Sequence, residues 1–480
     1  MNALFLSTLC LLLLNGATLY AQTDCSCVRN FDAVVEKIEL NYAGFVDKTK
    51  GTQSAAYQRM RDSLRTAAEH TTQDNCFDVL AAYTLFFRDR HVQLGNYEVA
   101  KLPKTFEPLT LAQARQQTKN ARADDLPGIW HRDDGKLQVA ILHQPGSGKD
   151  GYDYRGIVLS SRDTTMRPGL ELFRAKRRGQ SYYVKAILNG LYNHQFPTKQ
   201  HGNIFYATWN MTLVREFPFT PTPTDQLELA ANRINNGLYV RSLAKDVALI
   251  SLRRGFTLSS NVMDSVLRAH EPLLSQTPNL IIDLRDNGGG NNTWENLLPY
   301  IYSKPVVWPG GWLIRSSPDN IQALEADTAG SSPKQRAKDQ TFIDKLKQNR
   351  GQLVNTGGES ITIQLERVRP NPRRVVLLVN EGCGSSTEFL TQIAKQSPGV
   401  TVMGSPTAGV MDYGDLRRAA KLPCPDLHLM IAMAKSPWTD TTPIDPTGIV
   451  PHINLAHLPE SQWLSIAVKK LQSNTLAAKP

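Results

Sequence analysis

Leu280-Ile281-Ile282-Asp283-Leu284-Arg285-Asp286-Asn287-Gly288-Gly289-Gly290 carries an apolar run through Asp-Leu-Arg directly into three glycines. The run predicts a buried strand, and the glycines predict a turn at its C-terminal end. Open α/β sheets place their ligands at that edge. Glycines there allow close backbone approach and offer N–H groups to a developing negative charge. Three glycines alone are ordinary turn residues; the sequence around them makes the difference.

A second strand-like run, Val375-Val376-Leu377-Leu378-Val379-Asn380, leads into Glu381-Gly382-Cys383-Gly384-Ser385-Ser386-Thr387-Glu388. Ser385 is placed to open a helix, with Glu388 three residues on. That spacing is the reciprocal capping pair of a helix start. It equally suits a nucleophile on a tight strand-to-helix turn, whose helix N–H groups face the charge it generates. The two roles are compatible.

Together these stretches resemble the tail-specific, or C-terminal-processing, serine protease family. The likeness rests on Asp283–Gly290 and Gly384–Glu388. It extends to Gly404-Ser405-Pro406-Thr407-Ala408-Gly409 and Gly448-Ile449-Val450-Pro451, and covers roughly residues 238–470. The processing branch carries its base lysine twenty-five residues beyond the serine, where this chain has Val410. The resemblance therefore points to the tricorn-core branch, in which a distant histidine is the base and a carboxylate orients it. The matching positions are His91 and Asp445. Arg90 and Asp445 depart from that branch, which has a serine before the histidine and a glutamate as the acid.

A serine hydroxyl needs a base to take its proton, imidazole suits neutral pH, and a carboxylate fixes the ring's tautomer. The expected site is thus Ser385, His91 and Asp445, with an oxyanion hole from Ser386 and one of Gly288, Gly289 and Gly290. Asn287 and Glu388 support it, and Asp283 shapes the loop. His91 is one of ten histidines, and Asp445 lies in an Asp-Pro turn, so ordinary structural roles compete for both. Lys395, Lys421 and Lys435 sit in none of the family's motifs. Cys383 matches no family nucleophile.

No metal or cofactor is expected: the chain has neither His-Glu-x-x-His nor paired Cys-x-x-Cys spacing. Residues 4–14 are apolar and end in a small-residue exit at Ala21. That stretch is too short to span a bilayer and reads as a signal peptide over residues 1–21, predicting a periplasmic or extracellular protein. Five cysteines follow it. Cys25 or Cys27 pairing with Cys76 would staple the N-terminal helices, and a Cys383–Cys424 pair is the remaining option considered. The net charge of +10 is dispersed and lacks interleaved aromatics, which argues against a nucleic-acid partner.

Helical spacing of Phe31, Val34, Val35 and Ile38, and of Tyr57, Met60 and Leu64, predicts a helical segment over residues 22–95. Short strands parted by turns follow over 96–225, without the glycine-rich carboxylate loop of a PDZ domain. An antiparallel barrel or sandwich is expected there. Pro218, Pro221 and Pro223 read as a linker. Residues 226–480 then form the α/β catalytic domain, a mixed sheet flanked by helices, with an insertion at 303–372 that includes a helix near Gln335–Lys347. The reading is an exported serine peptidase acting on peptide or protein substrates. The alternative is a binding protein that keeps the fold without the chemistry.

Overall fold

The computed structural model describes residues 25–473, apart from 97–104, 145–150, 188–190, 194–197, 209–210, 329–331, 358–359, 419–421 and 446. The expected signal peptide and Lys421 lie outside the described residues. The fold is mixed α/β. A sheet of six strands runs in the order Leu238–Ala244, Val247–Leu252, Asn279–Asp283, Arg374–Val379, Val400–Gly404, Ile453–Asn454. All neighbours are parallel except the first pair.

Parallel strands covered on both faces are apolar at nearly every position, because alternate side chains point to opposite layers. Leu280, Ile282, Leu377 and Val379 face one core with Met263, Leu267, Leu390 and Ile393. Ile281, Val376 and Leu378 face the other with Trp463, Ala467 and Leu471. Asp283 pairs in register with Leu378, so the turns after these two strands emerge side by side.

Helices Cys27–Asn41, Gln53–Glu69 and Cys76–Phe86 occupy the N-terminal part, as the spacing predicts. Phe31, Val34 and Ile38 are buried against Phe77, Leu80 and Tyr83. The disulfides are Cys27–Cys76 and Cys25–Cys424. The second differs from the expected option: Cys383 is a free, buried thiol whose Sγ donates to Leu284 O at 3.0 Å, and Cys424 reaches the N-terminus instead. Sequence spacing carries no information on that pairing, which joins residues 399 apart.

Strands from Gly128 to Phe217 form an antiparallel meander around Trp130, Phe173, Tyr182 and Phe205. Tyr182 and Thr198 exchange N–H···O bonds of 2.7 Å, tying the late end of the meander back to strand Ser181–Ile187. The sheet also continues through Leu191–Asn193 and Gln93–Asn96 to Leu427–Lys435. The boundary expected at 95/96 therefore falls inside a strand, because backbone pairing there recruits chain from both ends of the sequence. The proline-rich linker is also shorter than expected: Pro223 opens helix Pro223–Asn235 at its first turn, where a missing N–H costs nothing, behind a Thr222–Asp225 capping box. The insertion carries helix Pro333–Gln348. Among the described residues no helix is long and apolar enough to cross a membrane.

Candidate active site

Ser385 stands between strand Arg374–Val379 and helix Ser386–Ala394, with φ 52° and ψ −122°. A non-glycine residue at positive φ persists only where its surroundings hold it there, and such strain gathers at functional turns. Here the holder is Glu388. Its carboxylate accepts from the Ser385 N–H at 3.0 Å, from Gly409 and Val410 N–H at 2.8 Å each, and from the Thr407 hydroxyl. Burial pushes the Glu388 carboxyl pKa up, while these four donors oppose the shift. Thr407 Oγ1 also accepts from Ile449 N–H at 2.6 Å, so the two later glycine motifs are interlocked with the Ser385 turn.

The glycine turn packs against this serine. Asn287 is fully buried; its side chain donates to Leu252 O at 2.7 Å and accepts from Thr387 Oγ1 at 2.7 Å. Gly289 N–H donates to Asn287 Oδ1 at 3.0 Å, which removes Gly289 from the expected oxyanion donors. Gly289 is indispensable in another way. A Cβ there would lie 2.6 Å from Gly384 O and 2.8 Å from both Ser385 Cβ and Ser386 N, at φ +94°. Gly290 O accepts from Ser386 Oγ at 2.7 Å. Gly288 faces open space. Gly289→Ala, by pushing the Ser385 and Ser386 backbone aside, is expected to lower acylation of Ser385 by about 10²-fold, the cost of a displacement near 1 Å at a reacting centre. A labelling rate with an active-site phosphonate checks it; an unchanged rate would remove this turn from the site.

His91 is buried just before strand Gln93–Asn96, its N–H held by Asp89 Oδ1 at 2.8 Å. Its Nδ1 lies 2.6 Å from Tyr413 O. A carbonyl only accepts, so Nδ1 carries the proton, which leaves Nε2 as the ring nitrogen that a general base would use. His91 and Ser385 share no hydrogen bond among the described contacts. Catalytic bonds are often long before substrate binds.

Asp445 is placed differently from the expectation that it touches the ring. Its Oδ1 accepts from Met411 and Asp412 N–H at 2.7 and 2.8 Å, while Asp412 accepts from Ile444 and Asp445 N–H. The two aspartates clamp each other's backbone immediately before Tyr413, and no hydrogen bond joins Asp445 to the His91 ring among the described contacts. The Tyr413 carbonyl had no signal in the sequence, because any residue supplies one.

Burial first, then Asp89 and Asp412, raise the Asp445 carboxyl from 3.8 to about 8. The folded state thus favours the neutral form. Its contribution to stability is fully present below about pH 4 and is lost as pH rises towards 8. Asp445→Asn is expected to match wild type below pH 4 and to exceed it by on the order of a few kcal/mol above pH 8. Urea unfolding at both pH values checks this, and parallel curves at all pH would refute it.

Two of the three candidate lysines are engaged elsewhere. Lys395 donates to Val450 O, and Lys435 pairs with Asp47 and Asp440. Asp283 and Arg285 pair with each other through two hydrogen bonds of 2.8 and 2.6 Å, a shaping role at the strand end.

A strand-turn-serine-helix element thus faces a glycine turn where the parallel strands of the six-stranded sheet end. Residues 309–455, which include Ser385 and Asp445 but neither His91 nor the glycine turn, match the family model described as Peptidase family S41. Mature CPAF complexed with lactacystin aligns with a TM-score of 0.50 at 13% identity, covering 95% of this chain and 99% of that one. The photosystem II D1 C-terminal processing protease aligns at 0.36 and 13%, covering 91% and 95%. The tricorn protease aligns at 0.35 and 12%, covering 92% of this chain and 35% of that one. At 13% identity the likeness to mature CPAF is one of fold alone. No curated protein matches the chain.

Proposed function

We propose that the protein is an exported serine peptidase that cleaves peptide bonds through an acyl-enzyme at Ser385. The observation that carries this reading is the positive-φ serine at a helix start, pressed against Gly289 and anchored by buried Glu388. The S41 match over residues 309–455 supports peptidase chemistry.

In the proposed mechanism His91 Nε2 takes the hydroxyl proton of Ser385 as its oxygen attacks the carbonyl carbon. The Ser386 N–H, with Gly288 or Gly290, meets the developing oxyanion at the positive end of helix Ser386–Ala394. His91 then gives its proton to the leaving amine, and water hydrolyses the ester by the same path reversed. Tyr413 O holds the ring through Nδ1–H. Asp445 acts one step back, by fixing the backbone before Tyr413. Export accords with the two disulfides, which persist in oxidising compartments.

The lack of a His91–Ser385 hydrogen bond among the described contacts and the valine at position 410 favour one competitor, a peptide-binding protein without chemistry. Incubation with a fluorophosphonate decides. Covalent labelling mapped to Ser385 supports the peptidase; an unlabelled, folded protein that still binds peptide supports the competitor.

A further inference from the structure

Ion pairs beneath the active-site turns join them to the β-rich domain. Lys199 is 5% exposed and follows the Thr198–Tyr182 pair that ties back the meander. Its ammonium contacts Glu460 and lies 3.1 Å from Glu381 Oε1. Glu381 begins the Ser385 turn, and accepts from Ser181 Oγ of the β-rich domain at 2.7 Å and from Ser405 Oγ at 2.9 Å.

The neighbouring His201 places Nε2 2.7 Å from Asp286 Oδ2, which also accepts from Arg253 at 2.7 Å. Asp286 begins the glycine turn at φ +65°. Asn380 stitches the two turns together, donating to Asp286 Oδ1 and accepting from Asp286 and Gly382 N–H at 2.8–3.0 Å. His201, Asp286 and Glu460 are metal-ligand types in reach of one another, but Arg253 and Lys199 already supply the cations there.

We infer that Lys199, seconded by Ser181 and His201, is a positioning residue. The inner edge of the β-rich domain sets the geometry of the nucleophile turn and the oxyanion turn. This rests on reading Ser385 as the nucleophile. The physical reason is that Asp286 and Glu460 are acidic groups with little access to water, whose positions follow their counter-ions, and that the more open Glu381 shares the buried Lys199 ammonium with Glu460. A buried acid stripped of its partner must move or rehydrate. Either response shifts turns whose strained residues, Ser385 and Asp286, are held only by their surroundings. A displacement near 1 Å at a reacting centre costs about 10²-fold.

The experiment compares wild type with Lys199→Met and the milder Ser181→Ala. It reads fluorophosphonate labelling of Ser385, kcat and KM on a peptide ester, and backbone hydrogen exchange. Lys199→Met is expected to label about 30–100-fold more slowly, with kcat falling in step and KM within about 3-fold. Ser181→Ala is expected to be about 3–10-fold slower. In Lys199→Met, exchange over residues 284–291 and 380–387 should quicken at least about tenfold, while strand 374–379 keeps its protection. Wild-type labelling and exchange in both variants would overturn the inference, as would exchange that quickens only in the β-rich domain. If Lys199→Met does not fold, Ser181→Ala decides alone. If wild type never labels, the peptidase reading falls and the exchange comparison still decides whether Lys199 positions the turns.

Discussion

Ser385→Ala is expected to lower peptide hydrolysis by about a million-fold while leaving the fold unchanged. The loss is large because the substitution removes the attacking oxygen, and the adjacent Ser386 hydroxyl is engaged with Gly290 O. Cys383 lies two residues away but is buried, donates to Leu284 O, and has its thiol pKa pushed well up by burial, so it stays protonated and inert. The fold should survive because Glu388 grips the Ser385 backbone N–H, which alanine keeps. Hydrolysis of a peptide substrate by purified variants, with circular dichroism as a folding control, checks both halves. Comparable turnover in the variant would refute the nucleophile.

His91→Ala is expected to fall nearly as far, and the double variant with Ser385→Ala no further, because members of one catalytic unit do not add. Asp445→Asn offers a contrast. Where a carboxylate holds the ring directly, the amide costs about 10⁴-fold by imposing the wrong tautomer. Here Tyr413 O holds Nδ1–H, and asparagine retains an oxygen for the Met411 and Asp412 N–H groups. The loss is therefore expected to stay within about tenfold, well short of that tautomer penalty. A drop as large as that of His91→Ala would return Asp445 to the ring. Steady-state kinetics on the three single variants separates these outcomes.

Much of the site was legible because it lies in two short runs. The apolar strands at 280–283 and 375–379 announce themselves by composition, and glycines mark where backbone meets backbone. Ser385 and Glu388 are separated by one helical turn, so local geometry alone joins them. His91 and Asp445 were reached through family resemblance, since nothing local links a residue near 90 to one near 385. Their hydrogen-bond partners were not legible. Tyr413 acts through its carbonyl, which carries no residue signature, and Asp412 takes part because two loops happen to face each other.

What the sequence by itself determined is the periodic part: which runs are buried strands, which are helices, where the chain must turn, and which serine opens a helix. These follow from side-chain hydrophobicity and backbone preference within a few residues. Only the tertiary structure decided the rest. It paired Cys25 with Cys424, carried one sheet across an expected domain boundary, gave the Nδ1 position to a carbonyl, and set Lys199 and His201 beneath the serine and glycine turns. Each of those depends on which distant surfaces meet, and that is settled by packing and burial over the whole chain rather than by any stretch of it.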